Sequence, residues 1–200
     1  AATSADVLAE WQGLGYNRRA LALWRAAREI CERHAGVMPY DEAGLRALPG
    51  IGPATAAGIR AFAFDLSGVY LETNVRAVFL HELFPGAEGV PDSALRPLVA
   101  EACPDDSLAI AGADALCSPR TWYYALLDYG AYIKASTVNP SRRSAHYARQ
   151  SSFEGSHRQK RSLLLKMVLA APEGVSSADA FSALCDFESS HKRPPVSEEE

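Results

Sequence analysis

The stretch Leu48-Pro49-Gly50-Ile51-Gly52-Pro53-Ala54-Thr55-Ala56 has the makings of an anion site. Gly50 and Gly52 supply backbone angles that a side chain resists. Pro53 suits the first turn of a helix, where its missing N–H costs nothing. A helix begun there presents bare N–H groups at its positive end, and a phosphate oxygen is an acceptor that fits them. The same residues are also compatible with an ordinary helical turn, because glycine-x-glycine alone is a weak signal. A second stretch carries charge. Between Ser136 and Ser162 lie Arg142, Arg143, Arg149, Arg158, Lys160 and Arg161, interleaved with His146, Tyr147, Phe153 and His157. Cations alternating with aromatics suit a nucleic-acid backbone and would give affinity and position rather than sequence choice. The plainer reading of that stretch is a solvated loop.

Helices must position these residues. Residues 41–48 open on Asp41 and Glu42, which suit a helix N-terminus, and 54–64 are alanine-rich with Ile59, Phe62 and Ala63 at helical spacing. Together they predict two short helices joined by a tight hairpin over about 41–64. Upstream, Thr3 or Ser4 caps a helix running to Trp11, which Gly13-Leu14-Gly15 breaks. An amphipathic pattern follows at Leu21, Leu23, Trp24, Ala27, Ile30 and Cys31. Downstream, Gly68 marks a turn and Val69-Tyr70-Leu71 an extended approach to Glu72, after which Thr73 or Asn74 starts a helix to Leu83. Further helices are expected over 94–102, 122–133, 162–170 and 176–187, while 109–116 reads equally as a loop or a short helix. The β signal is negligible, so the fold class is all-α.

Composition sets limits. The chain has 200 residues, 48% of them hydrophobic and 22% charged, enough for a real core. A net charge of -4 excludes a uniformly basic nucleic-acid binder but leaves room for a local basic face. Cys31, Cys103, Cys117 and Cys185 are scattered, with no Cys-x-x-Cys, and read as reduced thiols rather than a metal site. No apolar run is long enough to span a membrane. The chain starts at Ala1 without methionine, which suggests a fragment or a trimmed product.

The hairpin Leu48-Pro49-Gly50-Ile51-Gly52-Pro53-Ala54-Thr55-Ala56 resembles the signature of the helix-hairpin-helix DNA glycosylase superfamily. Trp11-Gln12-Gly13-Leu14-Gly15-Tyr16 resembles that superfamily's upstream motif, and Leu71-Glu72-Thr73-Asn74-Val75-Arg76 falls where its catalytic loop belongs. The resemblance runs from about Val7 to Lys134. It implies a six-helix-barrel module over 1–120, with the hairpin and a catalytic loop at about 69–76. A second helical module is implied over 121–188, then a tail over 189–200, with DNA between the modules.

By this resemblance Glu72 is the carboxylate that stabilises an oxocarbenium-like sugar, with Asn74 beside it; the family's acid is an aspartate, one methylene shorter. Gly50, Ile51, Gly52, Ala54 and Thr55 would contact a phosphate, Tyr16 would wedge beside the damaged pair, and Arg18, Arg76, Arg142 and Arg143 would contact DNA. Ala54 occupies the position where bifunctional members carry a lysine, which implies a glycosylase without lyase activity. The iron–sulfur cysteines of many relatives are absent between Ala135 and Arg161, so no cofactor or metal is expected. Asp128 before Tyr129-Gly130 points to the adenine-specific branch. That branch's proton-donating glutamate would lie before Ala1. The about 40 residues after Leu163 are too few for the oxidised-guanine recognition domain that follows in that branch. The implied function is hydrolysis of the N-glycosidic bond of a mispaired or damaged base in base-excision repair. The alternative is a catalytically impaired DNA-binding module. The implied partner is double-stranded DNA, met by a cytoplasmic, nucleoid-associated monomer.

Overall fold

The computed structural model describes residues 2–105, 118–194 and 196. The stretch expected at 109–116, Cys117 and the last glutamates lie outside them. The described residues form helices joined by turns, with a single parallel bridge between Val90 and Ser144 and no strand. The chain divides into two compact units, 1–25 with 149–200, and 26–148.

In the first unit, α1 (Ser4–Glu10) starts at a capping box: Thr3 accepts the Asp6 N–H, and the Asp6 carboxylate accepts the Thr3 N–H. The Trp11 indole donates to the Gly15 carbonyl at 2.7 Å and closes the turn that follows. α2 (Asn17–Arg33) then begins, and its Trp24 donates to the Ala2 carbonyl at 3.0 Å.

Residues 149–156 precede two further helices, numbered below as α8 (His157–Ala170) and α9 (Ser177–Ser190). α8 starts five residues earlier than the apolar pattern indicated, because Gly155 at φ +74° and Ser156 turn the chain into it. Part of the basic stretch is therefore helical, with Arg158, Lys160 and Arg161 in or next to the first turn. In the tail expected over 189–200, the described residue Arg193 is tied back to the helices. Arg193 binds Glu154 at 2.9 Å and Gln159 at 3.0 Å and lies 3.6 Å from the buried Glu188. Val196 is buried as well.

The second unit holds α3 (Glu42–Ala47), α4 (Pro53–Phe64), α5 (Thr73–Leu83), α6 (Asp92–Ala102) and α7 (Pro119–Ser136). α5 is its central rod. Val75, Ala77, Val78, Phe79 and Leu80 are all buried, leaving that helix little solvent face. Around it, Ala61, Leu71, Val90, Leu95, Val99 and Tyr123 complete one apolar cluster. α7 packs along α5, and a 3-10 turn at Pro140–Arg143 closes its other side. The module boundary expected at 120 thus falls inside this unit, because α7 belongs to the core that α5 centres.

Candidate nucleic-acid interface and acid site

The hairpin forms, but only Gly50 takes an angle that a side chain resists; Gly52, expected to do the same, is extended at φ -89°, a conformation any residue adopts. Asp41 caps α3 by accepting the Gly44 N–H at 2.8 Å. Leu48 buries itself at that helix's end and accepts the Ile51 N–H at 3.2 Å. Gly50 takes φ +76°, where a Cβ would be strained. Gly52 is the N-cap of α4 and brings no side chain, so no capping acceptor serves that terminus. Gly50, Gly52, Ala54 and Thr55 are exposed and Ile51 is half-buried. The turn therefore offers donors at the positive end of a three-turn helix. Arg60 braces it from behind, donating to the Tyr40 carbonyl at 2.8 Å and to the Ser67 carbonyl at 3.3 Å.

Glu72 is the N-cap of α5. Its Oε1 accepts N–H bonds from Asn74 and, at 3.1 Å, from Val75. The side chain is half-buried, and Oε2 is engaged by neither amide. A cap of this kind is worth about 0.5–2 kcal/mol to the helix, so the acid has a structural task whatever else it does. Asn74 meets the carboxylate through its main chain, not its amide; its Oδ1 is buried with no hydrogen-bond partner. The charge on Glu72 reaches Tyr70, whose phenol is pushed up first by burial and then by that carboxylate.

The four arginines divide. Arg76 forms a bidentate pair with Asp92, Nε to Oδ1 at 3.0 Å and Nη2 to Oδ2 at 2.8 Å, which holds the Asp92 carboxyl below its ordinary range. Arg143 donates to the Phe84 carbonyl and, at 2.7 Å, to the Leu80 carbonyl, closing the C-terminal end of α5. Both guanidiniums are thus committed within the second unit. Arg142 and Arg18 are exposed. In the first unit Tyr16 stands out, with a left-handed φ of +52° and 60% exposure. Arg19 stacks over its ring at 4.7 Å, and Gln150 donates to its hydroxyl at 3.0 Å. Leu14 beside it is also exposed, so the tip of that turn is apolar.

Several residues that shape the acid loop carry no signal in the one-dimensional pattern. Gly58 lies against the Tyr70 ring, and a Cβ there would come 2.9 Å from Cε2. Tyr123 of α7, fully buried, accepts the Tyr70 N–H at 2.9 Å and donates to the Gly68 carbonyl. Burial is the main cause that pushes its phenol up. Gly130 of α7 receives the backbone of Asn74, whose Cα would lie 2.9 Å from any Cβ. Asp65, left-handed at the end of α4, accepts the Arg120 N–H at 2.9 Å. Only the glycines and the buried aromatic type hinted at such close approaches.

A helical hairpin with an uncapped second helix, followed by a carboxylate at the head of a buried helix, defines a class of protein. The chain is similar in sequence to members of the helix-hairpin-helix DNA glycosylase superfamily. It is 34% identical over 192 residues to the adenine DNA glycosylase of Mycobacterium tuberculosis, a match covering 89% of this chain and 61% of that protein. It is 34% identical to the adenine DNA glycosylase of Mycolicibacterium smegmatis over 66% of this chain and 42% of the relative. Endonuclease III of Escherichia coli is 34% identical over 43% of this chain and 42% of its own. The chain therefore spans less than two thirds of these relatives. The structure of a thermostable thymine-DNA glycosylase superposes with a TM-score of 0.51 at 21% identity, over 68% of this chain and 58% of that one, and agrees in fold. No family model matches the chain.

Proposed function

We propose that this chain acts as a DNA glycosylase of base-excision repair that hydrolyses the N-glycosidic bond of a mispaired or damaged base, adenine by preference. The observation that carries the reading is the place of Glu72, at the head of α5 with one carboxylate oxygen fixed by two amides. A base inside a duplex must be extruded before its bond to C1′ can break. As that bond breaks, the electron pair leaves with the base and positive charge develops on the sugar. A carboxylate fixed beforehand stabilises that charge without reorganising, and it orients the water that adds to C1′. Glu72 has this role in our reading, with Asn74 as its neighbour on the same turn.

The hairpin of Gly50, Ile51, Gly52, Ala54 and Thr55 grips a phosphate through main-chain N–H groups, which positions the duplex without reading its sequence. Arg18, Arg142 and Tyr16 are the exposed side chains suited to join it, Tyr16 as a wedge; the committed pairs of Arg76 and Arg143 make those two structural first. Ala54 offers no amine to attack C1′, so the reaction ends at an abasic site. The test is a strand-cleavage assay on mismatched duplex. Product should appear only after alkali, and borohydride should trap no covalent adduct. Binding of the duplex with no release of base, alkali included, would remove the enzymatic reading.

A further inference from the structure

The acid loop is pinned to α7 on both sides of Glu72. Before it, the phenol of Tyr123 takes the Tyr70 N–H at 2.9 Å and gives its own proton to the Gly68 carbonyl. After it, the Asn74 backbone rests against the bare Cα of Gly130, with room for no Cβ. Seven residues separate Tyr123 from Gly130, two turns of helix, so both contacts lie on one face of α7. Residues 70 and 74 flank position 72 by two on either side. The Glu72 side chain itself is held through Oε1 by the two amides of α5.

We propose that α7 acts as a ruler for the acid, with Tyr123 and Gly130 as positioning residues that set where the Glu72 carboxylate stands. This rests on the reading of Glu72 given above. Neither residue touches the carboxylate. Tyr123 works through the loop that delivers Glu72, and Gly130 through the helix turn that binds it. A phenol suits the first task because one oxygen must both accept and donate, and its ring joins the edge-to-face stack with Phe62 and Tyr70. A glycine suits the second because helix and turn meet backbone to backbone.

The experiment uses the 200-residue chain and three variants, Tyr123→Phe, Gly130→Ala and Tyr129→Phe. The last removes a phenol of the same helix that bonds the exposed Glu82 instead. Two readouts are taken well below each unfolding midpoint. One is single-turnover base release at saturating duplex, beside affinity for the same duplex. The other is the amide proton shift and exchange protection of Tyr70, Asn74 and Val75 by NMR.

A displacement on the order of 1 Å lowers rate by as much as about a hundredfold. Tyr123→Phe and Gly130→Ala should therefore slow release by roughly ten- to a hundredfold with duplex affinity within about twofold. Both should also shift the Asn74 and Val75 amides, and Tyr129→Phe should do neither. Unchanged Asn74 and Val75 amides in both variants would overturn the proposal, as would equal loss of rate in Tyr129→Phe. Shifted Asn74 and Val75 amides in the two variants, with no base released even by the wild-type chain, would support the ruler and instead remove the glycosylase reading beneath it.

Discussion

Replacing Glu72 separates its capping task from the catalytic one proposed above, because the two differ in size. As a cap, its Oε1 serves two amides at the positive end of α5. Alanine removes the acceptor and should cost about 0.5–2 kcal/mol of stability. Glutamine keeps an acceptor oxygen and loses only the charge–dipole part, about 0.3–1 kcal/mol. For a chain of this length, 1 kcal/mol corresponds to roughly 2–4 °C in the unfolding midpoint. Glu72→Gln should therefore fall by only a few degrees, and Glu72→Ala by more. Glu72→Asp, a stronger cap type, should stay near wild type.

The catalytic loss follows a different scale. A carboxylate about 4 Å from a developing sugar cation, at the effective dielectric of a partly exposed site, is worth about 4 kcal/mol. That is roughly a thousandfold in rate. Glu72→Gln should thus keep its fold and its duplex affinity while losing about three decades of base release. Thermal unfolding followed by circular dichroism and single-turnover cleavage with an alkaline quench read the two effects independently. A Gln variant that retains a tenth or more of the wild-type rate refutes the charge argument. A Gln variant less stable than the Ala variant refutes the capping argument.

Three further perturbations address the surroundings. Thr55→Glu, at the exposed start of α4, should raise the midpoint slightly through the helix dipole yet weaken duplex binding, with a salt slope reduced by about 0.9; calorimetry and binding titrations at several salt concentrations check the opposite signs. Gly58→Ala forces a methyl against the Tyr70 ring and should cost about 1–3 kcal/mol by overpacking, read from denaturant midpoints. Arg76→Ala should cost about 1–2 kcal/mol at neutral pH by leaving Asp92 without its bidentate partner. The Asp92 carboxyl sits below its ordinary value of 3.8 in the folded chain, so this stabilisation is complete above that value and fades as pH falls through the lowered one. The gap between wild type and Arg76→Ala should accordingly narrow below about pH 4, in stability measured against pH.

The sequence made the hairpin and the start of α5 legible because their signals are local. Gly50, Gly52 and Pro53 act within four residues of one another, and the extended run before Glu72 stops where a helical pattern starts. Contacts between distant positions left no such trace. Arg76 looks the same in a sequence whether it faces a phosphate or Asp92, and Arg143 the same whether it is free or closing α5. A hydrophobic period names a buried face but not what lies on the other side. Hence α7 was expected as a buried helix, yet its membership of the α5 core, and the meetings of Tyr123 with Gly68 and Gly130 with Asn74, required coordinates. The early start of α8 was missed because its first turn is basic, against the usual preference for acids at that end.

Arg60 stitches two neighbours with one planar group, taking the carbonyl of Tyr40 at the approach to the hairpin and that of Ser67 at the approach to the acid loop. Damage at this position would therefore not sort into a defect of grip or a defect of turnover. A lysine there has a single ammonium and cannot span both carbonyls with the same fixed fork. Under the proposed function, duplex affinity and base release would therefore fall together in a variant at Arg60.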